Sequence, residues 1–157
     1  MTEDRRVWLP SPGVEGGCYG CGDDNEVGLG LVWLPVDRTP REGRVSPTLT
    51  ALFTPRPEHR GAPGILHGGL AATALDECMA ALSHALDDLA TVTATLELRY
   101  RRPVPLDGSA VRIESWRDRA QPRARNKVHG RLLLSDGTLA VEATGLFLTI
   151  GPAEVQR

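Results

Sequence analysis

Several marks of specialised protein classes are scarce in this chain. Lysine is nearly missing: Lys127 is the only one among 18 basic residues, and 20 acidic residues leave a formal net charge of −2. General nucleic-acid binders carry a clear basic excess, so no nucleic-acid partner is expected. The preference for arginine is read as a compositional trait with no function of its own. No run approaches the roughly 18 consecutive apolar residues of a membrane helix, so no membrane partner is expected either. The charged start, Met1 to Arg6, has no apolar run behind it and does not resemble an export signal. Only three cysteines are present, Cys18, Cys21 and Cys78, and they cannot all pair within one chain. The expected location is therefore a reducing cytoplasm. No internal repeat or low-complexity segment occurs.

What is there is an ordinary globular composition. Of 157 residues, 41% are hydrophobic and 24% charged. That length suits one domain burying roughly two thirds of its unfolded surface, without metal or disulfide staples. The expected division is a flexible tail over 1–17, a single domain over 18–151 and a short tail over 152–157. Within the domain, Val27 to Trp33 and Arg44 to Phe53 read as strands separated by the turn residues Pro40 and Gly43. Leu66 to Leu86 reads as a long helix, apolar nearly all round and hence buried. From Val92 the period changes to two, with Ala94, Leu96, Leu98 and Tyr100 on one face. Val111 to Arg117, Lys127 to Leu134 and Thr138 to Ile150 complete the strands, with Asp107-Gly108 and Asp136-Gly137 as turns. Short turns imply antiparallel neighbours. The expected fold class is α+β, an antiparallel sheet wrapped around one long helix.

The segment Gly61-Ala-Pro-Gly-Ile-Leu-His67-Gly68-Gly69 leads straight into that helix. Two glycines at a helix start weaken the helix but leave backbone N–H groups uncovered, suited to a carbonyl oxygen gaining negative charge. They also allow a tight turn against the sheet, and both readings stay open. Asp76 lies mid-helix, where a carboxylate must be paired, hydrogen-bonded or raised in pKa if buried. Glu77 points about 100° away from it, so the two are not an acid–base pair on one face. Gly68 and Asp76 lie about 12 Å apart along a helix. One reacting carbonyl needs donor and attacking group each near 3 Å, so a catalytic site here calls for two antiparallel copies.

Thr93 is able to orient a water or hold Asp76, but its parity puts it opposite Ala94 and Leu96. His67 is read as fixing the loop, while His59, His84 and His129 show no partner pattern. Arg99, Arg101, Arg102, Arg123, Arg125 and Lys127 lie around two strands. They form either a phosphate-binding rim or a solvated strand face. Cys18-Tyr-Gly-Cys21 looks like half a zinc knuckle. No second Cys/His pair completes it, so no metal is expected.

Four segments resemble the hotdog-fold acyl-CoA thioesterases of the 4-hydroxybenzoyl-CoA and phenylacetate-pathway superfamily. They are closest to its thioesterase-superfamily-member branch. Cys18-Tyr-Gly-Cys21-Gly22 with Gly28-Leu-Gly-Leu31 resembles the branch's N-terminal signature. Pro63-Gly64-Ile-Leu-His67-Gly68-Gly69, with Asp76 nine residues after His67, resembles its central motif. Thr93-Ala-Thr-Leu-Glu-Leu-Arg-Tyr-Arg-Arg-Pro103 and Glu142-Ala-Thr144-Gly-Leu-Phe147 resemble two of its strands.

The resemblance implies a hotdog homodimer, often paired into a dimer of dimers, that hydrolyses an acyl-CoA thioester. Asp76 would be general base or nucleophile, and Gly68 N–H of the facing protomer would polarise the carbonyl. Thr93 would position the water and His67 would order the loop, with Gly69 beside it in the motif. CoA would enter only as part of the substrate, its phosphates near Arg99, Arg101, Arg102, Arg125 and Lys127. Many relatives carry a polar amide near the position of Gly61, a role vacant here. The helix-to-strand loop also differs slightly in length from relatives, which leaves the Asp76–Thr93 geometry undefined. Hotdog dehydratases are a rival, but they need an acid in the first helical turn. A non-catalytic acyl-CoA sensor on the same fold is the alternative from a different class.

Overall fold

The structure is a computed structural model that describes residues 17–22 and 24–153. The expected tail over 1–17 therefore lies almost wholly outside the described residues. Strands β1 (Val32–Trp33) and β2 (Leu49–Phe53) precede a single 3-10 turn, Pro57–His59, and helix α1 (Gly68–Asp87). Strands β3 (Leu89–Tyr100), β4 (Val111–Arg117), β5 (Arg125–Leu133) and β6 (Leu139–Pro152) follow. They form one six-stranded sheet in the order β1-β2-β4-β5-β6-β3, antiparallel throughout. The expected α+β architecture is what is observed. The C-terminal boundary moves outward: β6 runs through Pro152, and Ala153, itself buried, donates its N–H to Asp88 O.

His67 caps the start of helix α1 with its extended backbone and its side chain, and Asp88, in the left-handed region (φ 54°), caps its end. Its buried positions are Ala71, Ala74, Leu75, Cys78, Met79, Leu82 and Ser83, the three-four spacing of one helical face. The expectation of a helix buried all round is thus corrected. Ala72, Thr73, Asp76 and Ala80 are only half-buried, because the sheet covers one side of a cylinder. Contact is close where β5 and β6 lack side chains: a Cβ on Gly130 would stand 2.7 Å from Met79 Sδ, and one on Gly145 3.2 Å from Met79 Cε. Burial pushes the Cys78 thiol up to about 12, so it stays protonated in the core. At the helix C-terminus the buried Arg117 grips Asp87 with two nitrogens and donates to Arg119 O and Ala120 O.

Two strands are shorter than their sequence pattern. The Val27–Trp33 run keeps only its last two residues as β1, because Leu29 and Leu31 donate instead to Tyr19 O and Gly20 O. The Arg44–Phe53 run joins the continuous ladder only from Leu49: Thr48 and Arg44 make isolated bridges to Asp37 and Arg41, and Pro47 between them has no N–H to give.

The most consequential departure is in β3. Its register pairs Thr93 with Phe147 and Thr95 with Leu146, so Ala94 is an extra residue with no opposite number. Such a bulge reverses which side chains face inward. Thr91 and Thr93 point to the helix before it, where Thr91 donates to Ala80 O at 3.2 Å. Leu96 and Leu98 pack on the core after it, and Ala94 is exposed. Strand β3 ends the sheet, and its outer edge has no neighbour among the described residues.

Candidate active site

The loop before α1 is pinned from both sides. His67 N–H donates to His59 O at 2.9 Å, Leu66 N–H to Val104 O at 2.9 Å and Gly61 N–H to Ile65 O at 2.9 Å. A Cβ on Gly61 would lie 2.9 Å from His67 Cα, so a side chain there would push the histidine away. That explains why the position is glycine and supplies no polar group.

His67 is the N-cap residue of α1. Its Nδ1 accepts from Gly69 N–H at 3.0 Å and so removes one of the helix's uncovered donors. Gly69 is therefore occupied in the cap. Gly68 N–H has no acceptor among the described residues, and the residue is exposed. No acidic residue sits in the first helical turn, so the positive end of the helix dipole is unneutralised there. Sequence reasoning missed Tyr100, read as an inward apolar residue. It is 55% exposed, and its hydroxyl donates to Gly68 O at 2.7 Å. The signal available was an amphipathic ring at a strand end.

Two turns further along α1, Asp76 is half-buried and accepts a 2.7 Å hydrogen bond from Thr93 Oγ1. The parity argument against Thr93 is corrected by the bulge at Ala94, which no residue type announced. The helix-to-strand connection is only Asp88, and its left-handed turn sets Thr93 beside Asp76. Glu77 points elsewhere, to the Cys18–Cys21 turn, so the two neighbouring acids do diverge.

The basic residues do not gather into one rim within the chain. Arg101 and Arg102 line a cavity of about 330 Å³ beside Gly68 and Ala71, together with Ile65 and Val104. Arg101 also pairs with Glu142 at 2.5 Å. Arg99 and Lys127 line a separate hollow of about 550 Å³ containing Trp116 and His129. Arg125 pairs with Leu148, which pairs with Val92, whereas Arg99 pairs with Glu142. Strand β6 lies between β3 and β5, so Arg99 and Arg125 stand at opposite ends of the sheet.

His129 does have a partner, Asp118, at 2.5 Å, and stacks on Trp116. His59 is buried against Phe53, and burial holds its imidazole below the ordinary 6.5. His84 is likewise held low by burial.

A single helix wrapped by an antiparallel sheet, with an uncovered Gly68 N–H at its start and a hydroxyl-bound Asp76 midway, is the arrangement of the hotdog fold. Residues 63–121 match the family model described as Thioesterase superfamily. Acyl-coenzyme A thioesterase THEM4 of Bos taurus is 37% identical over 101 residues, covering 64% of this chain and 40% of that protein. The protein of the same name from Xenopus laevis is 35% identical over 112 residues, 66% of this chain and 46% of that one. The chain thus spans less than half the length of these curated relatives.

Among solved structures, the E. coli PaaI protein from the phenylacetic acid degradation operon superposes with a TM-score of 0.65 at 16% identity, covering 80% of this chain and 83% of that one. A hypothetical thioesterase protein with coenzyme A from Streptococcus pneumoniae TIGR4 gives 0.63 at 18% identity, covering 72% and 86%. This chain has the hotdog fold. Among the described residues no helix is long and apolar enough to cross a membrane.

Proposed function

We propose that this protein hydrolyses an acyl-CoA thioester to the free acid and CoA. The observation that carries this reading is the Asp76 carboxylate, held by Thr93 and with no other side-chain partner among the described residues, on the same helix as the Gly68 N–H. The matched family segment and the thioesterase names of the curated relatives support the same chemistry.

In this reading Asp76 takes a proton from water, and the water oxygen attacks the thioester carbon. Direct attack by the carboxylate is the other course: it gives an acyl–Asp76 anhydride and CoA thiolate, and water then hydrolyses the anhydride and supplies the thiolate's proton. Either way charge collects on the carbonyl oxygen, where the Gly68 N–H and the helix dipole stabilise it. The C–S bond then breaks, and the CoA sulfur takes a proton back. Thr93 donates to Asp76 and retains lone pairs able to accept from the attacking water. His67 orders the loop and occupies Gly69 N–H, leaving Gly68 as the donor. An acid in the first helical turn, as a dehydratase requires, is absent.

Gly68 and Asp76 of one chain are about 12 Å apart, so the site is composite and the protein a homodimer. Strand β3 supports this: its 12 residues end the sheet with Val92 and Tyr100 exposed, a template for pairing with a second copy. A two-fold axis there sets the Gly68 end of one protomer, with Arg101 and Arg102, against the Asp76 side of its partner. The partner's Arg125 end comes with it, so the basic groups separated within one chain converge across the interface around CoA phosphates. A second pairing to a tetramer is compatible with this arrangement.

The test is free-thiol release from short-, medium- and long-chain and aryl CoA esters, with wild type beside Asp76→Asn. Turnover lost in a folded Asp76→Asn supports the reading and identifies the acyl class. Binding of acyl-CoA without turnover would replace it with a sensor on the same fold.

A further inference from the structure

The Cys18–Cys21 turn takes no part in the chemistry above, yet it is built with care. Gly22 N–H donates to Cys18 O at 2.9 Å and closes the turn. Leu29 N–H and Leu31 N–H, from two residues buried in the core, donate to Tyr19 O and Gly20 O. The turn lies against α1, where Glu77 Oε1 stands 2.9 Å from Cys21 Sγ and 3.6 Å from Cys18 Sγ. Gly20 is buried, and a Cβ there would come within 2.6 Å of Glu77 Cγ. Only glycine lets the carboxylate lie down on the turn.

We propose that Cys18, Cys21 and Glu77 form a binding site for one zinc-type divalent ion, which staples the turn to helix α1. The three ligand atoms all lie within 4.8 Å of one another. Around a tetrahedral zinc, with Zn–S about 2.3 Å and Zn–O about 2.0 Å, sulfur and oxygen ligands stand about 3.5 Å apart. The two observed sulfur–oxygen distances bracket that value, so the three ligand atoms stand close to the spacing a zinc ion needs. Two thiolates with one carboxylate favour zinc over magnesium or calcium, which take all-oxygen sites. All three residues are half-buried, so solvent can reach the fourth position. On binding, both thiols release their protons to solvent, and the thiols' present hydrogen bonds to Glu77 are replaced by bonds to the metal. Affinity therefore rises with pH.

Sequence reasoning stopped at half a knuckle because it sought a second Cys/His pair along the chain. The third ligand is a carboxylate 56 residues from Cys21, brought in by the helix.

The experiment uses the whole chain, reduced and treated with chelator, then titrated with Co²⁺ and afterwards with Zn²⁺. The expected result is a thiolate-to-cobalt charge-transfer band that saturates at about one ion per chain and is abolished by zinc. Cys18→Ser and Cys21→Ser each remove the band. Glu77→Gln retains thiolate contact but weakens affinity by at least about tenfold. Zinc raises the Tm of the wild type and leaves that of Cys21→Ser unchanged. No band in the reduced, folded wild type overturns the proposal whatever the variants do, as does a band that survives Cys21→Ser. Because none of these readouts uses a thioester, failure here is distinct from failure of the thioesterase reading.

Discussion

Asp76 and Glu114 are both carboxylates with well-defined partners, and they are treated in opposite ways. Asp76 is half-buried on α1 and, among the described residues, has one side-chain hydrogen bond, from Thr93. Glu114 lies on the sheet face away from the helix with its side chain only 5% exposed. Arg44 at 2.9 Å, Arg131 at 2.9 Å and Arg112 at 3.1 Å surround it, and Arg44 also lies 4.0 Å over the Trp116 ring. Burial alone would raise the Glu114 carboxyl. The Arg44 hydrogen bond and the charges of Arg131 and Arg44 outweigh it and hold the group below its ordinary 4.5. A carboxylate ringed by three guanidinium groups is held in its charged form and is a poor acceptor for a substrate's proton. One held by a single hydroxyl is a better acceptor. The first kind fixes a sheet and the second is available for chemistry.

The largest expected effect of breaking this contrast is catalytic. Replacing Asp76 with Asn leaves Tm near wild type and lowers thioester turnover by about 10²- to 10⁴-fold, the usual contribution of a general base. Next in size, Glu114→Gln leaves turnover per folded molecule unchanged. It strands the nearly buried Arg44 and lowers stability by about 3 kcal/mol in chemical denaturation. Equal loss of activity in the two variants would erase the distinction between the sites.

Thr93 sharpens the comparison from the other side. Thr93→Ala removes a hydrogen bond to a charged group, expected to lower kcat/KM by roughly tenfold or somewhat more. Thr93→Ser restores most of it, whereas a packing role would not be rescued by a residue lacking the methyl. The smallest effect concerns pH. A carboxylate whose folded pKa is depressed contributes stability above its unfolded pKa and loses it as pH falls through the folded value. Wild-type stability should thus decline below about pH 4.5 as Glu114 takes a proton, and Glu114→Gln should show a shallower decline. Parallel curves for the two proteins would remove Glu114 from the acid response.

Much of this molecule is legible from its residues. The Ala- and Leu-rich run from Leu66 to Leu86 specifies the helix, since helix propensity and a missing proline act locally. Strand β4 spans the expected Val111–Arg117, where a strand flanked by turns leaves no ambiguity. The loop at His67 and the divergence of Asp76 and Glu77 follow from helical geometry in the same way. Other features depend on which strand lies beside which. The bulge at Ala94 is a mismatch between β3 and β6, and a register exists only between two strands. It alone turns Thr93 toward Asp76, against its own alternation.

Sequence by itself determined the fold class, the capped glycine-rich helix start and the acid nine residues after His67. Those features are set by propensities and spacings within a few turns of chain. Tertiary structure alone decided the Thr93–Asp76 contact, the division of the arginines between two ends of the sheet and the carboxylate over the Cys18–Cys21 turn. Each joins residues through the packing of separate elements, and the spacing of residues along one chain carries no record of that distance.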